Sequence, residues 1–339
     1  MQPNLSTEAA AFSGYIDLAS ARLGGRSLIA NDEFFAEKEN LVKPGRATFD
    51  PDRYTDHGKW MDGWETRRRR TPGHDWCILR LGLPGEIHGF DIDTQHFLGN
   101  NPAYASVDAC EAPDGVKPEA LAQDAKRWTE ILPRSPLRPG SQNLFAAVAG
   151  ERSTHVRLNI FPDGGVARFR VYGRVAPDRA ALAKQGELDL AAVENGGLVV
   201  AASDMFFGSK ENLIMPGLAA TMGDGWETRR RRGPGYDWAV VALGLPGRIT
   251  RAVVSTRHFK GNYPDRCSID ACSAPDAAVD SLNAAALPWR EILPSTPLAA
   301  DTEREFSSEL AEAGPCTHVR LNIYPDGGVS RLRVFGTPA

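Results

Sequence analysis

Val156, Leu158 and Ile160 alternate with His155, Arg157 and Asn159. A period of two sets one row against a core and the other on the opposite face of a β-strand. Pro-Asp-Gly-Gly follows at 162–165, where Asp and Gly supply the positive φ angles of a tight hairpin, and Val166, Phe169 and Val171 resume the apolar row. Upstream, WCILRLG and GEIHGFDIDTQHF read as two strands, with Leu-Gly-Leu-Pro-Gly at 81–85 as the turn between them. Short strands spaced by roughly 8 to 12 residues, punctuated by Gly and Pro, predict an all-β sandwich.

The whole pattern occurs twice. DEFFAEKENLVKPG at 32–45 returns as DMFFGSKENLIMPG at 204–217, and DGWETRRRR stands unchanged at 62–70 and 224–232. DWCILRLGLPG, HFLGNNP, WTEILP and THVRLNIFPDGGVARFRVYG each have a counterpart in DWAVVALGLPG, HFKGNYP, WREILP and THVRLNIYPDGGVSRLRVFG. A period this long means two domains side by side, since solenoid units repeat every 20 to 50 residues or so. The expected division is a first jelly roll over 12–175, an Ala-rich charged connector over 176–197 and a second jelly roll over 198–339. The order of elements in each copy resembles discoidin-type, galactose-binding-like modules, which supports the fold and says little about activity.

The chain has 339 residues and a net charge of -4, enough length for two cores and too little positive charge to follow a nucleic acid backbone. Its five cysteines (Cys77, Cys110, Cys267, Cys272, Cys316) form no CxxC pair, so reduced, buried thiols are expected. No apolar run reaches the roughly 20 residues of a membrane helix and MQPNLSTEAA lacks the marks of a signal peptide, so a cytoplasmic protein with no membrane partner is expected.

Four consecutive arginines in such a chain need another explanation. In an extended strand Trp64, Thr66 and Arg68 share a face. If Trp64 is buried, an unpaired Arg68 beside it would cost several kcal/mol, so the strand must run out to a rim where arginines meet carboxylates of the protein or of a ligand. A structural network with Glu65 and Asp75 is the alternative. His96 and His258 each end a strand before a Gly-Asn loop that can offer Asn100 or Asn262 to a ligand. The stripe of His155, Arg157 and Asn159, with His318, Arg320 and Asn322, reads as an outer sheet face. Lys38–Asn40 and Lys210–Asn212, near Asp32 and Asp204, suit either a calcium-like cation or an ion pair. GxSxG, Walker A, GxGxxG and HExxH motifs are missing, which leaves Arg, His, Asp, Glu and Asn to carry any chemistry. That set suits a small polar substrate with a carboxylate and amide-like groups.

Taken together, the doubled DGWETRRRR, the SKENLI block, HF.GN.P, W.EILP and THVRLNI.PDGGV closely resemble the allantoicase family, from about Gly14 to Gly336. The resemblance implies hydrolysis of allantoate to ureidoglycolate and urea on two similar jelly rolls, in homo-oligomers that include hexamers. On that footing Arg67, Arg69, Arg229 and Arg231 are candidates to hold the substrate carboxylate, and Asn100 and Asn262 to meet ureido groups. Glu65, His96, Glu227 and His258 are candidates for proton transfer and water activation. A divalent cation polarising a ureido carbonyl is compatible with the residue content but not indicated by it. The rival reading is a tandem glycan-binding protein without catalysis. It would place aromatic platforms on loop tips, whereas Trp64, Trp76 and Trp128 lie in blocks that read as core. The two copies differ at His74 and Tyr236, at Gln95 and Arg257, and by the inserted ATFDPDRYTDHGKW, which brings Asp50, Asp52, Asp56 and His57 to the first copy alone.

Overall fold

The computed structural model describes residues 14–148, 150–277 and 284–339. Contacts divide the chain into two compact units between Ala176 and Pro177. Each is a jelly-roll β-sandwich.

In the first unit the strands are β1 (Ile16–Asp17), β2 (Arg26–Ala30), β3 (Tyr54–Thr55), β4 (Gly58–Lys59), β5 (Trp64–Glu65), β6 (Asp75–Asp93), β7 (Tyr104–Cys110), β8 (Thr129–Pro136), β9 (Leu144–Ala146), β10 (Ser153–Phe161), β11 (Gly165–Val166) and β12 (Arg168–Val175). The short helix α1 (Pro118–Gln123) precedes β8. β6 is the shared strand. Its first part pairs with β10 and β2, and its second part pairs with β12 and β9. Alternation does the rest: Cys77, Leu79, Phe90 and Ile92 of β6 meet Val156, Leu158, Ile160, Phe169 and Val171 in one core.

Two expected turns are corrected. Residues 81–85 do not close a hairpin; they lie inside the continuous 19-residue β6, where the chain passes from one layer to the other. The glycine is needed for close approach: a Cβ at Gly82 would lie 2.5 Å from the Leu23 carbonyl oxygen. Likewise 162–165 leads into β11, which pairs with β5 and not with β10. Gly164 has φ 136°, and a Cβ there would meet the Asn100 oxygen at 2.6 Å. Pattern alone cannot tell a hairpin glycine from one that lets two backbones touch.

In the second unit α2 (Arg179–Leu182) is followed by β13 (Leu188–Asp189), β14 (Leu198–Ala202), β15 (Trp226–Glu227), β16 (Asp237–Ser255), β17 (Arg266–Cys272), β18 (Arg290–Pro297), β19 (Glu303–Phe306), β20 (Pro315–Tyr324), β21 (Gly328–Val329) and β22 (Arg331–Pro338). The order β13-β22-β16-β20-β17-β18 repeats β1-β12-β6-β10-β7-β8. Leu188 and Asp189, read from sequence as connector, therefore form the opening strand of the second sandwich, paired with Gly336 and Phe335.

Candidate functional site

The arginine run leaves the sandwich, as the burial argument requires. Trp64 is fully buried, its indole Nε1 donating to the Asp32 carbonyl at 2.8 Å, and β5 stops at Glu65. Thr66 turns the chain at Gly164, accepting at Oγ1 from the Gly164 N–H (3.1 Å). Beyond it Arg67, Arg68 and Arg70 are exposed and Arg69 is half-buried.

The four are not equivalent. Arg67 Nε donates to Asp32 Oδ2 at 2.6 Å while its guanidinium lies 5.2 Å from the Phe34 ring centre. Arg69 is committed on three sides: its backbone N–H donates to Asp163 at 2.8 Å, its Nη2 donates to the His74 carbonyl at 3.1 Å, and its guanidinium forms an ion pair with Asp75, Nε to Oδ1 3.3 Å, without a hydrogen bond. Arg68 and Arg70 have no partner among the described residues. Together they line an open pocket of about 360 Å³ with Asn31, Asp32, Thr71 and Asp75, four guanidiniums against two carboxylates. The second unit repeats the arrangement: Arg229 pairs with Asp204 and stacks on Phe206, and Arg231 bonds Asp326 and Asp237. Asp32 and Asp204, expected beside the KEN blocks as a cation or ion-pair position, pair instead with the arginines, a partnership the sequence did not show.

Glu65 and Asn100 meet. Asn100 Nδ2 donates to Glu65 Oε1 at 2.7 Å, and Asn262 donates to Glu227 in the same way. The loop that carries Asn100 is pinned by its carbonyl, which accepts from Gly165 N–H at 2.8 Å. Burial raises the Glu65 carboxyl above the usual range, with the Asn100 bond pulling the other way. His96 and His258 stand apart: no hydrogen bond joins either to the glutamates. Each ring bonds a backbone carbonyl, Ala47 at 3.2 Å and Ala219 at 2.9 Å. A carbonyl only accepts, so Nε2 carries the proton and Nδ1 is left as the basic nitrogen. Both residues have φ 71°, a left-handed conformation unusual for histidine.

The insertion builds a wall on the first unit only. Arg53, Thr55, His57, Trp60 and Met61 enclose about 550 Å³ against Glu33–Glu37, Asn40 and Lys43. Arg53 stacks on Trp60 at 4.2 Å, and the His57 ring lies 4.2 Å from Phe34, the ring under Arg67. Asp50 and Asp52 make a local turn of this loop.

The remaining polar candidates are internal networks. Asp108 Oδ2 accepts from Arg157 Nε and Nη2 (2.9 and 2.8 Å) and from Asn159 Nδ2 (2.9 Å); Asp270, Arg320 and Asn322 do the same. Trp128 and Trp289 cover the two guanidiniums. Burial, with Arg80 nearby, lowers His155 to about 4 and keeps it neutral. Lys38 pairs with Glu33 and Glu39, while Asn40 donates to the Gly63 carbonyl at 2.8 Å, so the KEN blocks hold loops. Among the described residues no three His, Cys, Asp or Glu side chains are gathered for a metal ion.

Fold and rim define a protein of two tandem jelly rolls, each with arginine, asparagine and glutamate brought to one edge by the same loops. A family model described as the allantoicase repeat matches residues 16–176 and again 188–339. The probable allantoicase 1 of Burkholderia mallei is 52% identical over 323 residues, 95% of this chain and 94% of its own. The probable allantoicase of Photobacterium profundum is 51% identical over 325 residues, 96% and 97% of the two chains. The crystal structure of allantoicase from Saccharomyces cerevisiae superposes with a TM-score of 0.83 at 35% identity, covering 98% of both. The chain belongs to the allantoicase family.

Proposed function

We infer that this protein hydrolyses allantoate to ureidoglycolate and urea. The observation that carries the inference is the allantoicase repeat matched in both halves, with identity of about half to relatives over almost their whole length. In the reaction the bond from the central carbon to one ureido nitrogen breaks, that nitrogen takes a proton and leaves in urea, and a hydroxyl from water replaces it. The protein must hold the carboxylate, protonate the leaving nitrogen and deprotonate the water.

The first task falls to Arg67 and Arg229. Asp32 and Asp204 fix each guanidinium from one side and leave the rest of it exposed. Arg69 and Arg231 hold Asp75 and Asp237 and shape the rim, so they act as positioning residues. The second task falls to Glu65, whose carboxyl burial raises above the ordinary glutamate value and so holds its proton more firmly, with Asn100 orienting it and Glu227 with Asn262 as the counterpart pair. For the third, Nδ1 of His96 or His258 is the available base. We assign the larger share of turnover to the first repeat, because its inserted hairpin reaches the rim through His57, packed on the Phe34 ring that lies under Arg67.

A homo-oligomer fits the exposed apolar side chains of Leu98, Phe206 and Phe207. Five free, buried cysteines suit a reducing cytoplasm. Urea release by the purified protein tests the function: allantoate must be consumed with urea as product, and a protein that leaves allantoate intact overturns it.

A further inference from the structure

A third cavity, of about 320 Å³, lies on the outer face of the first sandwich. Its floor is Asp91 and Asp93 of β6 with Arg168, Arg170 and Tyr172 of β12. Pro44–Arg46 and Gln142 form its walls. It shares no lining residue with the arginine rim.

The duplicated chain supplies its own control. Strand register pairs Asp91 with Arg170 and Asp93 with Arg168, as it pairs Val253 with Arg333 and Ser255 with Arg331. The same registers set Tyr172 against Phe335, and the aligned loops set Arg46 against Leu218 and Gln142 against Glu303. What both copies keep is scaffold: an aspartate of the opening strand, Asp17 in one and Asp189 in the other, accepts from a backbone N–H in the middle of the closing strand, Val171 and Val334 at 3.0 and 2.9 Å. The floor's arginines recur as Arg331 and Arg333; what only the first copy has is the pair of floor carboxylates, Asp91 and Asp93, with Arg46, Gln142 and Tyr172 around them. The second sandwich folds without them, so folding does not ask for them.

The floor is also unfinished. Asp91 is 2% exposed; its Oδ2 accepts from Gln142 Nε2 at 2.6 Å, but Oδ1 has no hydrogen-bond partner among the described residues. A buried carboxylate oxygen without a donor is costly, and valine at this position would have avoided the cost. Asp93, by contrast, is satisfied by Gln95 N–H (2.9 Å) and Arg46 Nη2 (3.2 Å). The rest of the Arg46 guanidinium, more than half exposed, is unpartnered among the described residues. Burial and the neighbouring Asp93 carry Asp91 up to about 6, against the Gln142 bond, as befits a carboxylate still lacking its donors.

We propose that this cavity is a ligand site of the first repeat for a small molecule that joins ureido or amide N–H groups to a carboxylate, Asp91 receiving the N–H groups and Arg46 the carboxylate. The choice of ureido among N–H donors rests on the reaction proposed above; the site itself does not.

Titration calorimetry of the full-length protein with ureidoacetate, a ureido acid bearing one ureido group, tests it. Asp91→Val and Arg46→Leu install what the second repeat already carries, so the fold has a precedent, and thermal melting checks it. Removing a charged hydrogen-bond partner should weaken binding about tenfold or more for Asp91→Val, and several-fold for Arg46→Leu. Should Asp91→Val fail to fold, Arg46→Leu at the surface still decides. Binding equal to wild type in the folded variants overturns the proposal, as does a wild type that shows no binding at millimolar ureidoacetate. Urea release by the wild type is measured alongside. If it is absent while Asp91-dependent binding persists, the reaction falls and the site stands; the opposite pattern removes the site alone.

Discussion

Arg67→Ala and Arg229→Ala should affect turnover very unequally. Stability changes little in either: Arg67 is 63% exposed, and its exposed pair with Asp32 contributes about 0–1 kcal/mol, with roughly 0.5–1 kcal/mol more from the stack on Phe34. Asp32 is not orphaned, because its Oδ1 still accepts from Phe34 N–H at 2.9 Å. A charged hydrogen bond to a substrate carboxylate is worth about 1.5–3 kcal/mol, so its loss lowers kcat/KM at that site about 10- to 150-fold. The hairpin supports Phe34 through His57 in the first repeat, and the second repeat has no such hairpin. Arg67→Ala should therefore leave less than a tenth of kcat/KM, and Arg229→Ala more than half. The assay is urea release under subsaturating allantoate, with melting as the control. Losses of about half in each variant, at unchanged stability, would mean two equal independent sites and refute the reasoning.

Glu65→Gln should lower kcat by about 100-fold or more while retaining substrate binding. The limb of the wild-type profile set by Glu65 is the alkaline one: activity should fall as pH rises through a pKa above the ordinary glutamate value, because burial keeps Glu65 protonated to higher pH, and a fall at or below the ordinary value contradicts this. By the same sign, burying the ionised form costs stability, so Glu65→Gln should melt higher than wild type above that pKa and not below it. Asp108→Ala removes the acceptor of three hydrogen bonds and leaves the Arg157 guanidinium without its carboxylate under Trp128, while Asn159 keeps Ser106, which should cost about 3–5 kcal/mol in calorimetric unfolding, with Asp270→Ala matching it. Near-neutral melts would show that these networks carry no stability.

The fold was legible because duplication doubled every signal and alternation marked the core rows: Val156, Leu158 and Ile160 face inward as their spacing says. Leu188 is legible too. GELDLAAVENGG at 186–197 repeats GYIDLASARLGG at 14–25, and its apolar Leu-x-Leu opens a sandwich. The glycines at 82 and 164 look like turn residues in the sequence because a sequence does not show what backbone will lie opposite them. Of the site, the exit of the arginines followed from Trp64 burial alone. Which arginine is tied and which is free depended on Asp32, Asp75 and Asp163, residues about 5 to 95 positions away whose reach only the fold reveals. The Asp91 floor looked like ordinary strand alternation, since a polar row on an outer face is what a half-buried strand carries by default.

The most direct test of the central claim is to follow nitrogen-labelled allantoate by NMR with the purified protein. Urea and ureidoglycolate should appear together, one for one, with no ammonium among the early products. Ammonium as the first nitrogen product, or allantoate left unchanged beside a folded protein, would contradict the account.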